Sequence, residues 1–380
     1  MKFLLFETTV YGHYLEYIHH LYEGMSQYPD DELILVLPPE FEMEKDKYEW
    51  TPSENIHIIS ITTGELNGIN DSGAISAIWK RARLLRKYAI QNKPDVVFLI
   101  SLASYMPFLP LLLSRETRIY GILYKFYVYQ WRELSLAKKI AHVLLFYFYK
   151  YRKNIRGIFV LNDQSSTAYF NRRYKTDKFL YLPDPFNHTP YGGKDLRKNY
   201  NIYDEEYVFL HFGALTGRKG TIEILDAIEL MTPDEREGKV FVFAGQISPS
   251  ISNGFYERVN RLKQTCKIII HEGFCSNEML TDLCVTSDCL LCPYKLTDLS
   301  SGVLGYAATY KKPVIGPSGG LIGKLIKRYH LGWTINIVTP YSIKDAICNV
   351  SKIEIKTSYV DHIRVENFVK TIYDLMFREQ

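Results

Sequence analysis

The chain has 380 residues, 47% of them apolar and 23% charged, and a net charge of +4. That length exceeds one ordinary core and fits two domains; the composition excludes a disordered or fibrous chain, and the mild charge gives no argument for a nucleic-acid partner. The opening MKFLLFETTVYGHY has too short an apolar stretch for a signal peptide and no small-residue cleavage site after it. No run of about 18 apolar residues predicts a membrane span. In chain order, the first half predicts strands at 2–7, 32–38, 55–61, 95–100, 118–124, 157–162 and 179–183, with helical patterns at 13–28, 74–92, 134–153 and 164–173. Apolar strands separated by helices imply a parallel sheet covered on both faces, so this half is expected to be a doubly wound α/β domain.

LPDPFNHTPYGGKD (182–195) breaks the pattern with Pro, Gly and Asn, as a linker does. The alternation then restarts. Strands are predicted at 207–213, 240–245, 267–271, 289–293, 313–316 and 334–338, and helices at 221–231, 253–265, 277–286, 302–310 and 320–329. A last helical segment follows with no strand after it. Two doubly wound, Rossmann-like domains in tandem place a ligand in the cleft between them, at the carboxyl ends of the strands. The loops that leave those strands are therefore the places to look for chemistry.

All six cysteines lie in the second half. Cys289 and Cys292 alone have a CxxC spacing, inside the apolar run SDCLLCP. One such pair reads better as buried core thiols than as a zinc site, and the pattern suits a reducing, cytoplasmic compartment. The 30 tyrosines suit half-buried surfaces and carbohydrate contacts, or simply reflect codon bias. AKKIAHVLLFYFYKYRKNIRG (137–157) mixes an aromatic and aliphatic run with flanking cations. It fits a mostly buried helix with a basic end better than it fits the other reading, a helix lying on an anionic membrane surface.

Four loops have the makings of an anion site. In HFGALTGRKGTIEILDAI (211–228) a strand ends at Gly213, and Arg218, Lys219 and Gly220 precede a helix that starts near Thr221. Helix N-terminal amides beside a full cation suit a phosphate or diphosphate, although the Walker spacing is absent and a solvated turn has the same composition. In LTDLSSGVLGYAATYKKPVIG (296–316), Asp298 can accept hydrogen bonds from sugar hydroxyls, Ser300 and Ser301 are good N-cap residues, and Gly302 opens a helix of small residues. An ordinary capped helix is the plainer alternative. IGPSGGLIGKLIK (315–327) repeats the arrangement with Ser318, Gly319 and Gly320, where glycine permits close backbone approach. TTVYGHYLEYIHH (8–20) runs from the first strand through Gly12 into a helix that begins near His13, and is expected to face the same cleft. His19 and His20 fit a helix surface or core. No HxxxH or HExxH spacing is present, and YPDDEL (28–33) reads as a surface turn before a strand, not a metal-holding DxD.

Between Phe212 and Ile335 these residues resemble the donor-binding domain of family-4 type glycosyltransferases of the GT-B fold. The stretches that carry the likeness are FGALTGRKGTIEILDAI, FVFAGQ, IIIHEGFCSNEMLTDLCVTSDCLLCPY, LTDLSSGVLGYAATYKKPVIG and GGLIGKLIKRYHLGWTI. The resemblance implies an N-terminal acceptor domain at 1–186 and a C-terminal donor domain at 187–359. It also implies a final helix near 360–378 that crosses back, so that 360–380 joins the first domain. It further implies a nucleotide-diphosphate-sugar donor, transfer with retention, no metal and no other cofactor. Lys219 matches the family lysine that neutralises the donor diphosphate. The family arginine falls at Ala214, and Arg218 stands as its substitute. The family's two glutamates fall at Asp298, which retains the capacity to hold donor-sugar hydroxyls, and at Tyr306, whose hydroxyl would have to reach the ribose. The histidine often found near the sugar is replaced in YGILYKFYVYQW by Lys125.

The expected catalytic residues are thus Lys219, Asp298 and Arg218. The expected donor-binding residues are Gly213, Gly220, Ser300, Ser301, Gly302, Tyr306, Gly12 and His13. The reading is a hexosyltransferase-like glycosyltransferase of class EC 2.4 in surface polysaccharide synthesis, cytoplasmic and peripheral at the inner face of a membrane. Its acceptor is a glycan or a lipid-linked sugar. Two alternatives remain. Ala214 and Tyr306 suit a non-catalytic nucleotide-sugar or glycan binding protein. His211 and Asp298 are the side chains available to a nucleotide-sugar epimerase on the same fold.

Overall fold

A computed structural model describes residues 1–124 and 126–377. Lys125 lies outside the described residues. The chain divides into two compact units, Met1–Pro185 with Val365–Gln380, and Phe186–Arg364.

The first unit holds seven strands: β1 (Lys2–Phe6), β2 (Glu32–Leu37), β3 (Ile56–Ser60), β4 (Val96–Leu99), β5 (Arg118–Ile122), β6 (Ile155–Leu161) and β7 (Phe179–Leu182). All pair in parallel, in the order β3-β2-β1-β4-β5-β6-β7. Strand side chains alternate between faces, and β1 shows the consequence. Leu4 and Phe6 enter one core with Ala82 and Leu85 of the helix Ala74–Asn92. Phe3 and Leu5 enter the opposite core with Leu15 and Ile18 of the helix His13–Met25. Each of these Leu, Ile and Phe side chains, removed from water, stabilises the unit by about 1.5–3 kcal/mol.

The last helix, Val365–Phe377, closes this second core with Phe368, Ile372 and Met376. Its approach explains a glycine: a Cβ on Gly24 would sit 2.1 Å from Val369 Cγ1. Tyr373 stacks on Tyr28 with ring centroids 3.7 Å apart and donates to Asp31 at 2.7 Å. The return to the first unit comes at Val365, later than residue 360, because Tyr359–His362 forms a separate short helix in the second unit.

The second unit holds β8 (Tyr207–Phe212), β9 (Lys239–Gly245), β10 (Lys267–Glu272), β11 (Cys289–Leu291), β12 (Val314–Pro317) and β13 (Gly332–Ile335). Its order is β10-β9-β8-β11-β12-β13, again all parallel. Each sheet therefore reverses direction once, between β1 and β4 in the first unit and between β8 and β11 in the second. In doubly wound sheets that reversal opens a crevice at the carboxyl ends of the strands.

Two helices of eight or more residues are not announced by the apolar pattern, although their start signals are present. Thr63–Asn70 begins at a Thr62/Glu65 capping box, and Pro340–Asn349 at a Thr339/Ser342 box with Pro340 in the first turn. The basic helix Leu136–Tyr151 has both characters expected of it. Phe146 and Tyr149 are buried, while Leu136, Ile140 and Leu144 are exposed. Among the described residues no helix is long and apolar enough to cross a membrane. Cys284, Cys289 and Cys292 are buried core thiols whose pKa values burial pushes up, and all six cysteines are free.

Candidate functional site

In the second unit the site is built where β8 and β11 part. β8 ends at Phe212 and the chain turns at Gly213, whose φ of +92° favours glycine. A Cβ at Gly213 would lie 2.6 Å from Lys219 Nζ, so the missing side chain is the space the ammonium occupies. Lys219 Nζ donates to the Phe212 carbonyl at 3.4 Å and stands 5.2 Å from the centre of the Tyr294 ring. Burial and the neighbouring Arg218 charge lower the Lys219 pKa to about 8. The ammonium is thus charged at pH 7 and poorly compensated, which primes it for an anion.

Gly220 follows with φ +75° and precedes the helix Thr221–Glu229. A Cβ there would meet the Pro293 carbonyl oxygen at 2.3 Å. Glycine at this point lets the β8 loop lie directly on the β11 loop. The two are tied again by Lys295 N donating to Arg218 O at 2.9 Å and by the Lys295–Glu223 ion pair at 2.5 Å. Arg218 and Ala214 are exposed on this loop.

His211 corrects one expectation. It is 1% exposed, with Nδ1 2.9 Å from the Leu291 carbonyl and Nε2 3.0 Å from the Thr221 hydroxyl. The Thr221 hydroxyl lies 3.1 Å from the Thr216 carbonyl. Burial pushes the imidazole down to about 4, so it is neutral, donating from Nδ1 and accepting at Nε2. Both nitrogens are spent on β11 and on the first residue of the helix. His211 braces the walls of the crevice from beneath instead of presenting an acid or base to a sugar.

The β11 loop supplies the opposite wall. Asp298 is 8% exposed and Tyr294 is 4% exposed. Ser301 occupies the N-cap position of the helix Gly302–Thr309, but its hydroxyl makes no capping bond. It turns instead toward Cys292 and Tyr294, and Ser300 does not occupy the cap position. The predicted serine cap is therefore not made by Ser301. Gly302 is exposed and a Cβ there would meet nothing within 4 Å. Tyr306 packs edge-on between Phe186 and Phe212, at 4.7 and 5.2 Å, and its hydroxyl donates to Asn277 at 3.4 Å. The third loop leans on the second: a Cβ on Gly320 would lie 1.9 Å from Thr297 Oγ1, and Leu321 N donates to Thr297 O at 2.7 Å.

Lys219, Arg218, Gly213, Gly220, Asp298, Ser300, Ser301 and Gly302 thus all belong to the two loops that flank one switch point, with Tyr306 one helical turn beyond. The residues that brace them, His211, Thr221 and Tyr294, had no motif to announce them. Gly12 and His13 belong to the first unit, in the loop after β1. Gly12 has φ +60° and no contact for a Cβ within 4 Å. His13 is exposed on one side and lies against Tyr14, Tyr17 and Tyr124 on the other, at 4.4, 5.7 and 5.3 Å; that aromatic shell lowers its pKa. Among the described residues no three His, Cys, Asp or Glu side chains gather as metal ligands would.

No family model matches the chain, and no curated protein matches it in sequence. Solved structures do match it in fold. Anabaena Alr3699/HepE, determined in complex with UDP and glucose, shares 12% identity at a TM-score of 0.69 over 98% of each chain. The fold is that of GT-B glycosyltransferases. WaaG, a glycosyltransferase involved in lipopolysaccharide biosynthesis, shares 14% identity at a TM-score of 0.64, covering 99% of this chain and 97% of its own. The UDP-GlcNAc 2-epimerase of Methanocaldococcus jannaschii has the same architecture, with 15% identity, a TM-score of 0.63 and coverage of 98% and 99%.

Proposed function

We propose that this chain is a nucleotide-sugar-dependent glycosyltransferase, moving a sugar from a nucleotide-diphosphate donor to a glycan or lipid-linked acceptor with retention of configuration, in surface polysaccharide synthesis. The observation that carries the reading is the Lys219 ammonium, lodged where a Gly213 side chain would be, at the switch point of the second sheet. A half-buried, under-compensated cation between two helix N-termini is what a departing nucleoside diphosphate requires.

In this reading the donor's anomeric carbon–phosphate oxygen bond breaks and the acceptor oxygen takes its place. Lys219, Arg218 and the N-termini of Thr221–Glu229 and Gly302–Thr309 stabilise the charge that develops on the diphosphate. Asp298 accepts hydrogen bonds from donor-sugar hydroxyls, and Ser300, Ser301 and Gly302 line the sugar's side. The Tyr306 hydroxyl would reach the ribose after exchanging its bond to Asn277. Gly12 and His13 offer a further polar loop from the first unit. No metal or other cofactor is assigned a role.

The partner surface is assigned to the helix Leu136–Tyr151. Its exposed Leu136, Ile140 and Leu144 are flanked by Lys138, Lys139, Lys150, Arg152 and Lys153, and the sequence from Leu134 to Asn162 contains no acidic residue. That combination suits an anionic bilayer at the cytoplasmic face and a lipid-linked acceptor.

Thermal shift and calorimetry against UDP, other nucleoside diphosphates and their sugars test the reading, followed by donor hydrolysis and transfer. Binding abolished in Lys219→Met supports it; stabilisation by none of them removes both transferase and epimerase. Binding without hydrolysis or transfer favours the non-catalytic alternative, to which Ala214 points. Loss of sedimentation with anionic vesicles in a Leu136→Ser/Ile140→Ser/Leu144→Ser variant tests the membrane assignment, and an unchanged pellet sinks it.

A further inference from the structure

Glu7 follows directly on β1, at the carboxyl end of a strand that borders the reversal of the first sheet. It is 3% exposed. Its Oε1 accepts the amides of Thr8 and Thr9 at 2.8 and 3.2 Å, while its Oε2 is buried and has no hydrogen-bond partner. The ionisable groups that face it are the Arg81 guanidinium, from the helix Ala74–Asn92, and the phenols of Tyr14, Tyr105 and Tyr124. The hydroxyl oxygens of Tyr105 and Tyr124 are likewise buried and make no well-aligned hydrogen bond, the Thr8 side chain lying beside that of Tyr105.

One such orphan is unremarkable in a chain of this size. Three in one cluster are not, because each unsatisfied buried polar atom destabilises the fold and native proteins leave few of them. Their position at the switch point of a doubly wound sheet is where such folds take ligands. An aromatic wall of inclined rings adjoins them: His13 and Tyr124 are 5.3 Å apart at 62°, and Tyr14 and Tyr124 6.5 Å apart at 53°. One acceptor oxygen, two phenols and an aromatic wall suit a pyranose with its neighbouring hydroxyls.

We propose that Glu7, Tyr105 and Tyr124 form a sugar-binding site in the first unit, in which Glu7 Oε2 accepts a hydrogen bond from one sugar hydroxyl and the two phenols bond its neighbours. The proposal rests on the glycosyltransferase reading only for the class of ligand, a sugar of the acceptor. Burial raises the Glu7 carboxyl to about 7, against the opposing pull of the Thr8 and Thr9 amides and of Arg81. The carboxylate form that accepts the sugar hydroxyl is therefore gained as pH rises through 7, and sugar binding strengthens in the same direction. The raised value also makes the charged carboxylate a burden on the free fold: stability declines as pH rises from 4.5, the ordinary value, through about 7.

Saturation-transfer NMR on the full chain, with glucose, galactose and N-acetylglucosamine as probes at pH 6 and pH 8, reads the site. UDP titration by calorimetry runs in parallel. The expected result is binding of at least one sugar that is stronger at pH 8. Glu7→Gln and Tyr124→Phe each weaken it about 10-fold or more, with UDP affinity unchanged and, for Glu7→Gln, a melting temperature at pH 8 no lower than that of the original protein. Sugar binding unaffected by both substitutions, or absent in a protein that binds UDP, overturns the proposal and leaves the transferase reading standing. Failure to bind UDP with a Glu7-dependent sugar signal retained overturns the transferase reading and leaves the site standing. A Glu7→Gln protein that folds but melts lower at pH 8, with sugar binding intact, marks Glu7 as structural and also overturns the proposal.

Discussion

Replacing Gly213 by alanine separates two consequences of the same atom. The backbone there has φ +92°, so an L side chain is strained by about 1–2 kcal/mol. For a unit of this size that lowers the melting temperature by about 2–8 °C. The second consequence is local. The new Cβ would stand 2.6 Å from Lys219 Nζ, and the flexible lysine tip must retreat by roughly 1 Å to reach ordinary contact. An ammonium 4 Å from a diphosphate charge is worth about 4 kcal/mol at an effective dielectric of 20, and at 5 Å about 3.3 kcal/mol. Gly213→Ala should therefore weaken UDP by about 0.8 kcal/mol, or roughly 4-fold, while Lys219→Met costs up to about 1000-fold. Calorimetric titration with UDP measures both. In the Lys219→Met background the alanine has no ammonium to displace, so its effect on UDP should vanish, a coupling of about 0.8 kcal/mol against the roughly 0.3–0.5 kcal/mol within which independent sites add. Additivity within that band, or an alanine variant that binds UDP as well as the parent, refutes the placement of the lysine in the glycine's space.

The depressed Lys219 pKa makes a pH prediction: UDP affinity falls by up to about 10-fold per pH unit as pH rises above about 8, and Lys219→Arg flattens that slope; calorimetry between pH 7 and 9.5 checks it. Lys178 Nζ donates to the carbonyls of Tyr149, Lys150 and Arg152 at 3.0, 2.9 and 2.6 Å and so closes the last turn of the basic helix. Lys178→Met strands those carbonyls at a cost of about 1–3 kcal/mol and should lower the first unit's melting temperature by several degrees by calorimetric scanning. Burial alone would raise the Glu65 carboxyl, but bonds from Lys87, Thr62 and Tyr88 outweigh it and hold it at about 2. Its contribution to stability is then complete above pH 4.5 and lost as pH falls toward 2, and Glu65→Gln should shrink that acid limb in melting temperatures from pH 6 to 3.

The legibility of this fold tracks the range of the interactions that set it. β1 and β8 were readable because KFLLF and YVFLHF are apolar on both faces, a pattern that parallel sheets impose along the chain itself. Gly213, Lys219 and Gly220 were readable for a similar reason: strand end, cation and helix start lie within one short stretch. The opposite wall was only half legible. Ser301 stands where a serine normally caps, yet its hydroxyl answers to Cys292 and Tyr294, partners that the sheet delivers from the end of β11. His211 was open to misassignment because its partners, Leu291 and Thr221, meet it only when β8 and β11 become neighbours. Glu7 is the extreme case. FLLFETT reads as a strand running into a polar turn, and nothing in it distinguishes a solvated glutamate from one buried among Arg81, Tyr105 and Tyr124, which lie on three later segments. In the proposed reading, local sequence exposes the groups for a phosphate, since backbone amides and a nearby cation suffice to bind one. The proposed sugar site depends on side chains gathered from distant segments, so Glu7 and its neighbours become legible only in the fold.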